Sequence, residues 1–220
     1  MACLVIAATE FELKAFAEAG GDVKHSVQLV TGIGPVETAV NLSVWLGNSN
    51  NAVSSVVNFG VAGAYPENGT SVTADLLDVC LARQEVLGDL GICEQDAFQR
   101  FSHASLPVNM TFSLDENLLH TACRSLQVDG IPVKTGTFVT VNCASGTKKR
   151  GCLLAHEFQG LCENMEGAAV ARVCQHFAVP CIEVRCISNL VVNRRRAQWK
   201  LKQACALAGR AAASIVSDLI

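Results

Sequence analysis

The sequence predicts an α/β protein, a three-layer sandwich whose central sheet is mixed and mostly parallel. Three observations carry that expectation. Short β-type runs alternate with helical patterns, no low-complexity linker or internal repeat interrupts them, and several runs are apolar throughout, as strands covered on both faces must be. At 220 residues and 23.3 kDa the chain has the size of one domain, residues 1–220, able to bury most of the surface its unfolded form exposes.

Strands are expected at 3–7, 27–31, 55–59, 76–82, 136–141 and 181–188. Residues 35–46 read as a helix with Pro35 in its first turn, and Ser113 with Glu116 reads as a capping box opening a helix to about Leu126. A helix over 166–177 follows, with Val170, Val173, Cys174 and Phe177 on one face. In the last helix Leu201, Cys205, Ala208, Ala212, Ile215 and Leu219 recur at alternating steps of four and three.

Composition excludes several functions. Half the residues are apolar, 17% are charged and mean hydropathy is +0.31, which argues for a compact core against disorder. Twenty acids against 17 bases leave a net charge of -3, with no electrostatic reason to expect a nucleic-acid partner. The clusters at 148–150 and 194–196 read as solvated faces. Apolar stretches such as 3–8 are far short of the roughly 18–20 residues of a membrane span, and no signal segment opens the chain, so no membrane partner and a cytoplasmic location are expected. The 11 cysteines are odd in number and contain no C-x-x-C pair, so they read as small buried hydrophobes in a reducing compartment. His25, His103, His120, His156 and His176 have no metal-ligand spacing, and neither a metal nor a cofactor is expected.

In such sheets ligands bind beyond the carboxyl ends of strands. Glu10 and Glu12 follow the first expected strand, Gly32-Ile-Gly34 the second, Gly60-Val-Ala-Gly63 the third and Ser188-Asn189 the last. Gly32-Ile-Gly34 lacks the third glycine of a dinucleotide fingerprint, so it serves either as a tight turn or as a place where backbone N–H groups approach an anion or sugar. The segment Glu163-Asn-Met-Glu-Gly-Ala-Ala169 carries two acids and an amide at the edge of a small-residue helix that otherwise looks buried. Buried carboxylates are costly unless paired or used.

That segment, followed by Val179-Pro-Cys-Ile-Glu-Val-Arg-Cys-Ile-Ser-Asn189, resembles the paired motifs of the nucleoside phosphorylases and nucleosidases. Ile6-Ala-Ala-Thr-Glu-Phe-Glu12 is similar to that family's first strand and acidic loop, and Asn58-Phe-Gly-Val-Ala-Gly63 to its central glycine loop, so the resemblance spans the chain and implies a nucleoside phosphorylase-like fold. Gly88-Asp-Leu-Gly91, Thr137-Phe-Val-Thr-Val141 with Ser145-Gly-Thr147, and Ile187-Ser-Asn189 followed by Arg194 and Trp199 look most like the members that release hypoxanthine from futalosine in an alternative bacterial menaquinone pathway.

The resemblance implies a purine nucleoside substrate and a homodimer or larger homo-oligomer. It assigns activation of water to Glu12, with Glu10 as the fallback. Glu166 would hold ribose hydroxyls with Met165 against the sugar, and Asn189 would serve the leaving base. Gly34, Val61, Ala62, Gly63, Cys143, Ala144, Asn164 and Ser188 complete the expected substrate site. The adenine-specific members carry aspartate where Asn189 stands; an amide donates a hydrogen bond but no proton, which favours a 6-oxopurine. Asn164 also departs from the nucleosidases, which place glutamate there. Phosphorolysis needs a basic, hydroxyl-rich cradle, yet no arginine precedes Arg83 and Val61 stands where many relatives are polar, so hydrolysis is favoured. The alternatives are an adenine-releasing nucleosidase acting on methylthioadenosine or S-adenosylhomocysteine, and a non-catalytic nucleoside binder. Arg194, Arg195 and Arg196 are candidates for the carboxylate of futalosine, and Trp199 either walls the pocket or anchors the final helix.

Overall fold

The computed structural model describes residues 2–22, 24–48, 52–66, 72–94, 97–101, 108–192 and 199–220. The order along the chain is β1 (Ala2–Ala7), α1 (Glu10–Glu18), β2 (Ser26–Val30), α2 (Pro35–Gly47), β3 (Val53–Ala64), β4 (Val79–Leu87), β5 (Gly91–Glu94), β6 (Ala97–Arg100), β7 (Thr111–Ser113), α3 (Glu116–Val128), β8 (Val133–Thr140), α4 (Lys148–Phe158), β9 (Gly160–Asn164), α5 (Gly167–Phe177), β10 (Cys181–Leu190) and α6 (Leu201–Ser217). The main sheet runs β10-β4-β8-β9-β3-β1-β2, and β10 also pairs with β3. Strands β3, β10, β4, β8 and β9 therefore close on themselves, and β1 and β2 extend the sheet from β3. Five pairings in it are parallel; β4 runs antiparallel to β10 and β7, and β9 antiparallel to β3. This is the expected mixed, mostly parallel α/β fold.

The apolar runs have a direct cause in burial on two sides. Along β1, Cys3, Val5 and Ala7 enter one core with Phe16 of α1, Leu126 of α3 and Ala208 of α6, while Leu4 and Ile6 enter the other with Leu42 of α2 and Val170 of α5. Period-two alternation thus places apolar side chains on both faces. The α6 stripe buries Ala204, Cys205, Ala208, Ala211, Ala212 and Ile215. Its end members differ: Leu201 is 44% exposed, and Leu219 lies beyond the last helical residue.

Several boundaries correct the sequence reading. Ser113 belongs to β7 and pairs with Gln84; the cap of α3 is Asp115, whose carboxylate accepts from Leu118 N–H at 2.9 Å. The strand expected at 76–82 begins at Val79, because Leu77 sits in a left-handed turn (φ 68°), and runs on through polar residues to Leu87. β3 continues through the glycines to Ala64 because β10 pairs with it from Val56 onward, so Gly60–Gly63 are strand rather than loop. The helix expected from Glu166 begins at Gly167, with Glu166 at its N-cap position. Helices α1 and α4, the β5–β6 hairpin, β7 and β9 were not anticipated.

Candidate active site

A cavity of about 430 Å³ opens at the carboxyl ends of β1, β3, β8, β9 and β10. Its size suits a nucleoside-sized ligand. Polar groups at it come from the ends of separate strands, as expected where a parallel sheet changes direction.

Glu12 is held by the start of α1. Thr9 is the N-cap, and a capping box forms: Glu12 N–H donates to the Thr9 hydroxyl, while Glu12 Oε2 accepts from Thr9 N–H at 3.1 Å and Thr9 Oγ1 at 2.8 Å. The other oxygen, Oε1, accepts from Val61 N–H at 3.3 Å. The side chain is 6% exposed, so it is no solvated first-turn acid, whereas Glu10 is exposed.

Glu166, at the N-cap position of α5, lines the same cavity. Its Oε1 accepts from Gly34 N–H at 3.1 Å and its Oε2 from Arg185 Nη2 at 3.2 Å. Arg185 also donates through Nε to Glu183 at 2.8 Å and through Nη1 to the Val61 carbonyl at 3.3 Å. Burial works against the guanidinium charge, but Glu183, Glu166 and Glu12 outweigh it and hold its pKa above the ordinary arginine value. Arg185 and Glu12 meet over Gly60. A Cβ there would stand 2.6 Å from Glu12 Oε1 and 2.7 Å from Arg185 Nη1, so any larger residue would force the pair apart.

Beneath this pair lies a second polar layer. Glu85, wholly buried, accepts from Thr140 Oγ1 at 2.7 Å and from Asn164 Nδ2 at 2.6 Å. Burial, followed by the neighbouring Glu183 carboxylate, pushes its pKa well above the usual carboxylate range. Asn164 Oδ1 accepts from Glu166 N–H and Gly167 N–H, at 2.9 and 2.7 Å. Asn164 lines the cavity, yet its oxygen and one amide hydrogen are committed to holding the start of α5.

At the other end stand Ser188 and Asn189. Asn189 Oδ1 lies 2.8 Å from the Ser188 hydroxyl, which turns the Nδ2 group toward Gly63; a Cβ on Gly63 would stand 3.0 Å from that nitrogen. Glu163 shares this wall. Its Oε1 accepts from Ser145 N–H at 2.8 Å and its Oε2 from Tyr65 OH at 3.1 Å. Burial raises its carboxyl pKa, against the lowering effect of the bonds from Ser145 and Tyr65 and of Arg150.

Val61, Ala62, Gly63, Ala144, Asn164, Met165 and Ser188 all line the cavity with Glu12, Glu166 and Asn189. Gly34 reaches it through its bond to Glu166. Cys143 departs from the expectation: it is exposed, and its backbone is drawn outward, N–H to Asp89 and carbonyl to Arg150. Trp199 walls the cavity, while Arg83 is exposed and bonded to Thr135. Arg194, Arg195 and Arg196 lie outside the described residues. Sequence reasoning gave Arg185 and Glu163 no role. The visible signal for the first was charge at alternate positions of an otherwise apolar run, Ile182-Glu-Val-Arg-Cys-Ile187.

Residues 3–220 match the family model described as the phosphorylase superfamily. The chain is 34% identical to a futalosine hydrolase of Thermus thermophilus, over 87% of this chain and 81% of that one. It is 30% identical to a futalosine hydrolase of Streptomyces coelicolor, over 81% and 73% of the two chains. Among solved structures, a 5'-methylthioadenosine/S-adenosylhomocysteine nucleosidase of Helicobacter pylori superposes with a TM-score of 0.83 at 21% identity, covering 99% of this chain and 98% of that one. That likeness speaks for the fold.

Proposed function

The chain belongs to the phosphorylase superfamily, and we propose that within it this protein hydrolyses the N-glycosidic bond of futalosine, releasing hypoxanthine for an alternative menaquinone pathway. The observation that carries the reading is that Glu12, Glu166, Arg185 and Asn189 line one cavity, with Arg185 bonded to Glu166 and meeting Glu12 over Gly60. The substrate assignment draws on the futalosine hydrolase relatives.

Departure of the base leaves oxocarbenium-like charge on the ribose. Glu12 Oε1, at the cavity wall beside Val61 N–H, takes a proton from the attacking water. Glu166 accepts hydrogen bonds from ribose hydroxyls and stabilises the developing positive charge, with Met165 against the sugar. Arg185 and Gly34 N–H hold Glu166 in place, each bonded to one of its oxygens. Asn189, its oxygen tied to Ser188, offers Nδ2–H to the leaving purine. Val61, Ala62, Gly63, Ala144 and Ser188 shape the pocket, Gly34 fixes Glu166, and Asn164 acts through the backbone of α5 more than by touching sugar.

Water is favoured over phosphate on charge. Among the described residues, Arg185 is the single arginine or lysine at the cavity, and it is already engaged by Glu183 and Glu166, while Glu12, Glu163 and Glu166 make the lining acidic. A phosphate would enter a negative field with no free cation to receive it.

We read the chain as one domain and as a homodimer. Val36, Val40 and Val44 form an exposed stripe along α2, 55–71% exposed, next to Ile33 and Phe11 at the cavity mouth. An apolar stripe of this kind suits a second copy of the chain. The ten cysteines whose side chains are described are free and seven of them are buried, which suits a reducing cytoplasm. Among the described residues no helix is long and apolar enough to cross a membrane. The test is base release from futalosine, inosine, methylthioadenosine and S-adenosylhomocysteine side by side. Futalosine should be cleaved fastest; a preference for methylthioadenosine would replace this reading with the adenine-releasing one.

A further inference from the structure

Glu85 and Glu183 are buried acids that the proposed reaction leaves unused. Both are fully buried, and neither lines the cavity. In such a setting an apolar pair of similar volume is often at least as stable, so stability alone gives no reason for two acids here. Their surroundings do. Glu166 stands on two supports: its Oε2 accepts from Arg185 Nη2 at 3.2 Å, and its backbone N–H donates to Asn164 Oδ1 at 2.9 Å. Each support is held in turn by one of the buried acids. Arg185 Nε donates to Glu183 Oε1 at 2.8 Å, and Asn164 Nδ2 donates to Glu85 Oε1 at 2.6 Å.

The two acids then meet each other and close the circuit. Glu85 Oε1 and Glu183 Oε2 both reach the space a Cβ on Gly167 would occupy, and a hydrogen bond joins the two carboxyls. Burial first, and Glu183 second, push the Glu85 pKa up, which favours the proton that a bond between two carboxyls requires. The members come from separate elements: Glu85 from β4, Asn164 from β9, Glu166 from the start of α5, and Glu183 and Arg185 two residues apart on one face of β10. Thr140 of β8 ties the circuit to the helix, since its hydroxyl donates to Glu85 Oε2 at 2.7 Å and accepts from Ala168 N–H at 2.8 Å.

We propose that Glu85 and Glu183 are positioning residues for the hydrolysis: by closing this circuit they fix the Glu166 carboxylate against the ribose through both of its supports, without touching substrate. Misplacing a catalytic group by about 1 Å can cost about 100-fold in rate, so a rigid mount for Glu166 has a kinetic value that justifies two buried acids. Gly167 is part of the mount, because any larger residue there would drive the two carboxyls apart. The inference rests on the proposed role of Glu166 at the ribose, and its test separates the two.

Turnover is measured for Glu85→Leu and Glu85→Gln, each alone and added to Glu166→Ala, on whichever of the four nucleosides the parent cleaves fastest. Glu85→Leu removes every polar atom at that corner and should lower kcat by about 10- to 100-fold. Glu85→Gln keeps the length and a hydrogen-bonding end, and should recover most of that loss. The double variants read the mechanism: added to Glu166→Ala, the leucine should cost almost nothing further, because the carboxylate it helps to position is already gone. If Glu85→Leu does not fold, Thr140→Val breaks the tether to α5 by removing one hydroxyl; it should lower kcat by about two- to tenfold, as for one hydrogen bond, and again only while Glu166 is present. The same cost with and without Glu166, or an unchanged kcat in a folded Glu85→Leu or Thr140→Val, overturns the positioning role and leaves the hydrolase reading intact. A parent that cleaves none of the four nucleosides overturns the hydrolase reading and, with no turnover to support, this role as well.

Discussion

Arg185→Met tests the electrostatic centre of the site while keeping a side chain of similar reach. The Arg185 side chain is 2% exposed, and it pairs with Glu183 and Glu166, themselves 2% and 7% exposed. Removing one partner of a buried ion pair typically costs about 3–5 kcal/mol, because the charge left behind has neither water nor counter-ion. Here the lower end applies. Glu166 faces the cavity and can gain water, so the expected loss is about 3 kcal/mol. In a chain of this size that corresponds to roughly 6–12 °C in melting temperature. Urea unfolding followed by circular dichroism, at neutral pH and fixed protein concentration, measures it. Glu183→Gln added to Arg185→Met should restore at least about 1 kcal/mol, since it removes the stranded charge. A loss below about 1 kcal/mol in the single variant, or a double variant no more stable than the single one, would refute the argument that these carboxylates depend on Arg185.

Glu12→Gln and Glu166→Gln should each lower turnover by about 10²–10⁴ while leaving the fold unchanged: glutamine at 12 still completes the capping box with Thr9 but takes no proton from water, and glutamine at 166 brings no negative charge to the developing ribose cation; near-native turnover in Glu12→Gln would transfer the base role to another group. Glu85 carries a pH signature. Its folded pKa lies well above the ordinary 4.5, so the stability its proton confers is complete below that value and declines as pH rises toward the folded pKa. The decline can reach about 1.4 kcal/mol per pH unit, and Glu85→Gln, neutral throughout, should flatten it; parallel pH profiles for the two proteins would count against a proton on Glu85. Sedimentation equilibrium should give twice the 23.3 kDa chain mass, and Val40→Asp on the exposed α2 stripe should give the monomer. A fully active monomer in the parent would remove the dimer.

What the sequence disclosed about the fold follows from where side chains point. Continuous apolar runs such as 3–7 are buried on two faces, and the α6 stripe packs on one, so local pattern and tertiary role agree. β4 runs past Ala82 because Arg83-Gln-Glu85, which reads as the end of a strand, pairs with β7 and β8, and Glu85 is wholly buried among hydrogen-bond donors, a setting that composition cannot express. β9 was missed because Gly160-Leu-Cys-Glu-Asn164 is short and half polar, and pairing with β3 and β8 makes it a strand. Ser113 reads as the cap because the Ser-x-x-Glu pattern ignores the β7 pairing that already occupies Ser113. For the site, Glu12, Glu166 and Asn189 were legible through motif resemblance, and the cavity unites them. Arg185 and Glu163 were in plain view but owe their placement to glycines on a neighbouring strand, Gly60 and Gly63, and that juxtaposition exists only after β3, β9 and β10 have paired.

The central claim is that water, placed by Glu12, takes the sugar from the base. Its most direct test is the reaction of futalosine in water labelled with heavy oxygen, with and without excess phosphate, followed by mass spectrometry of both products. The account predicts one labelled oxygen at the sugar C1 hydroxyl, none in hypoxanthine, and the same rate and labelling when phosphate is present. A sugar 1-phosphate, or a rate that depends on phosphate, would contradict it.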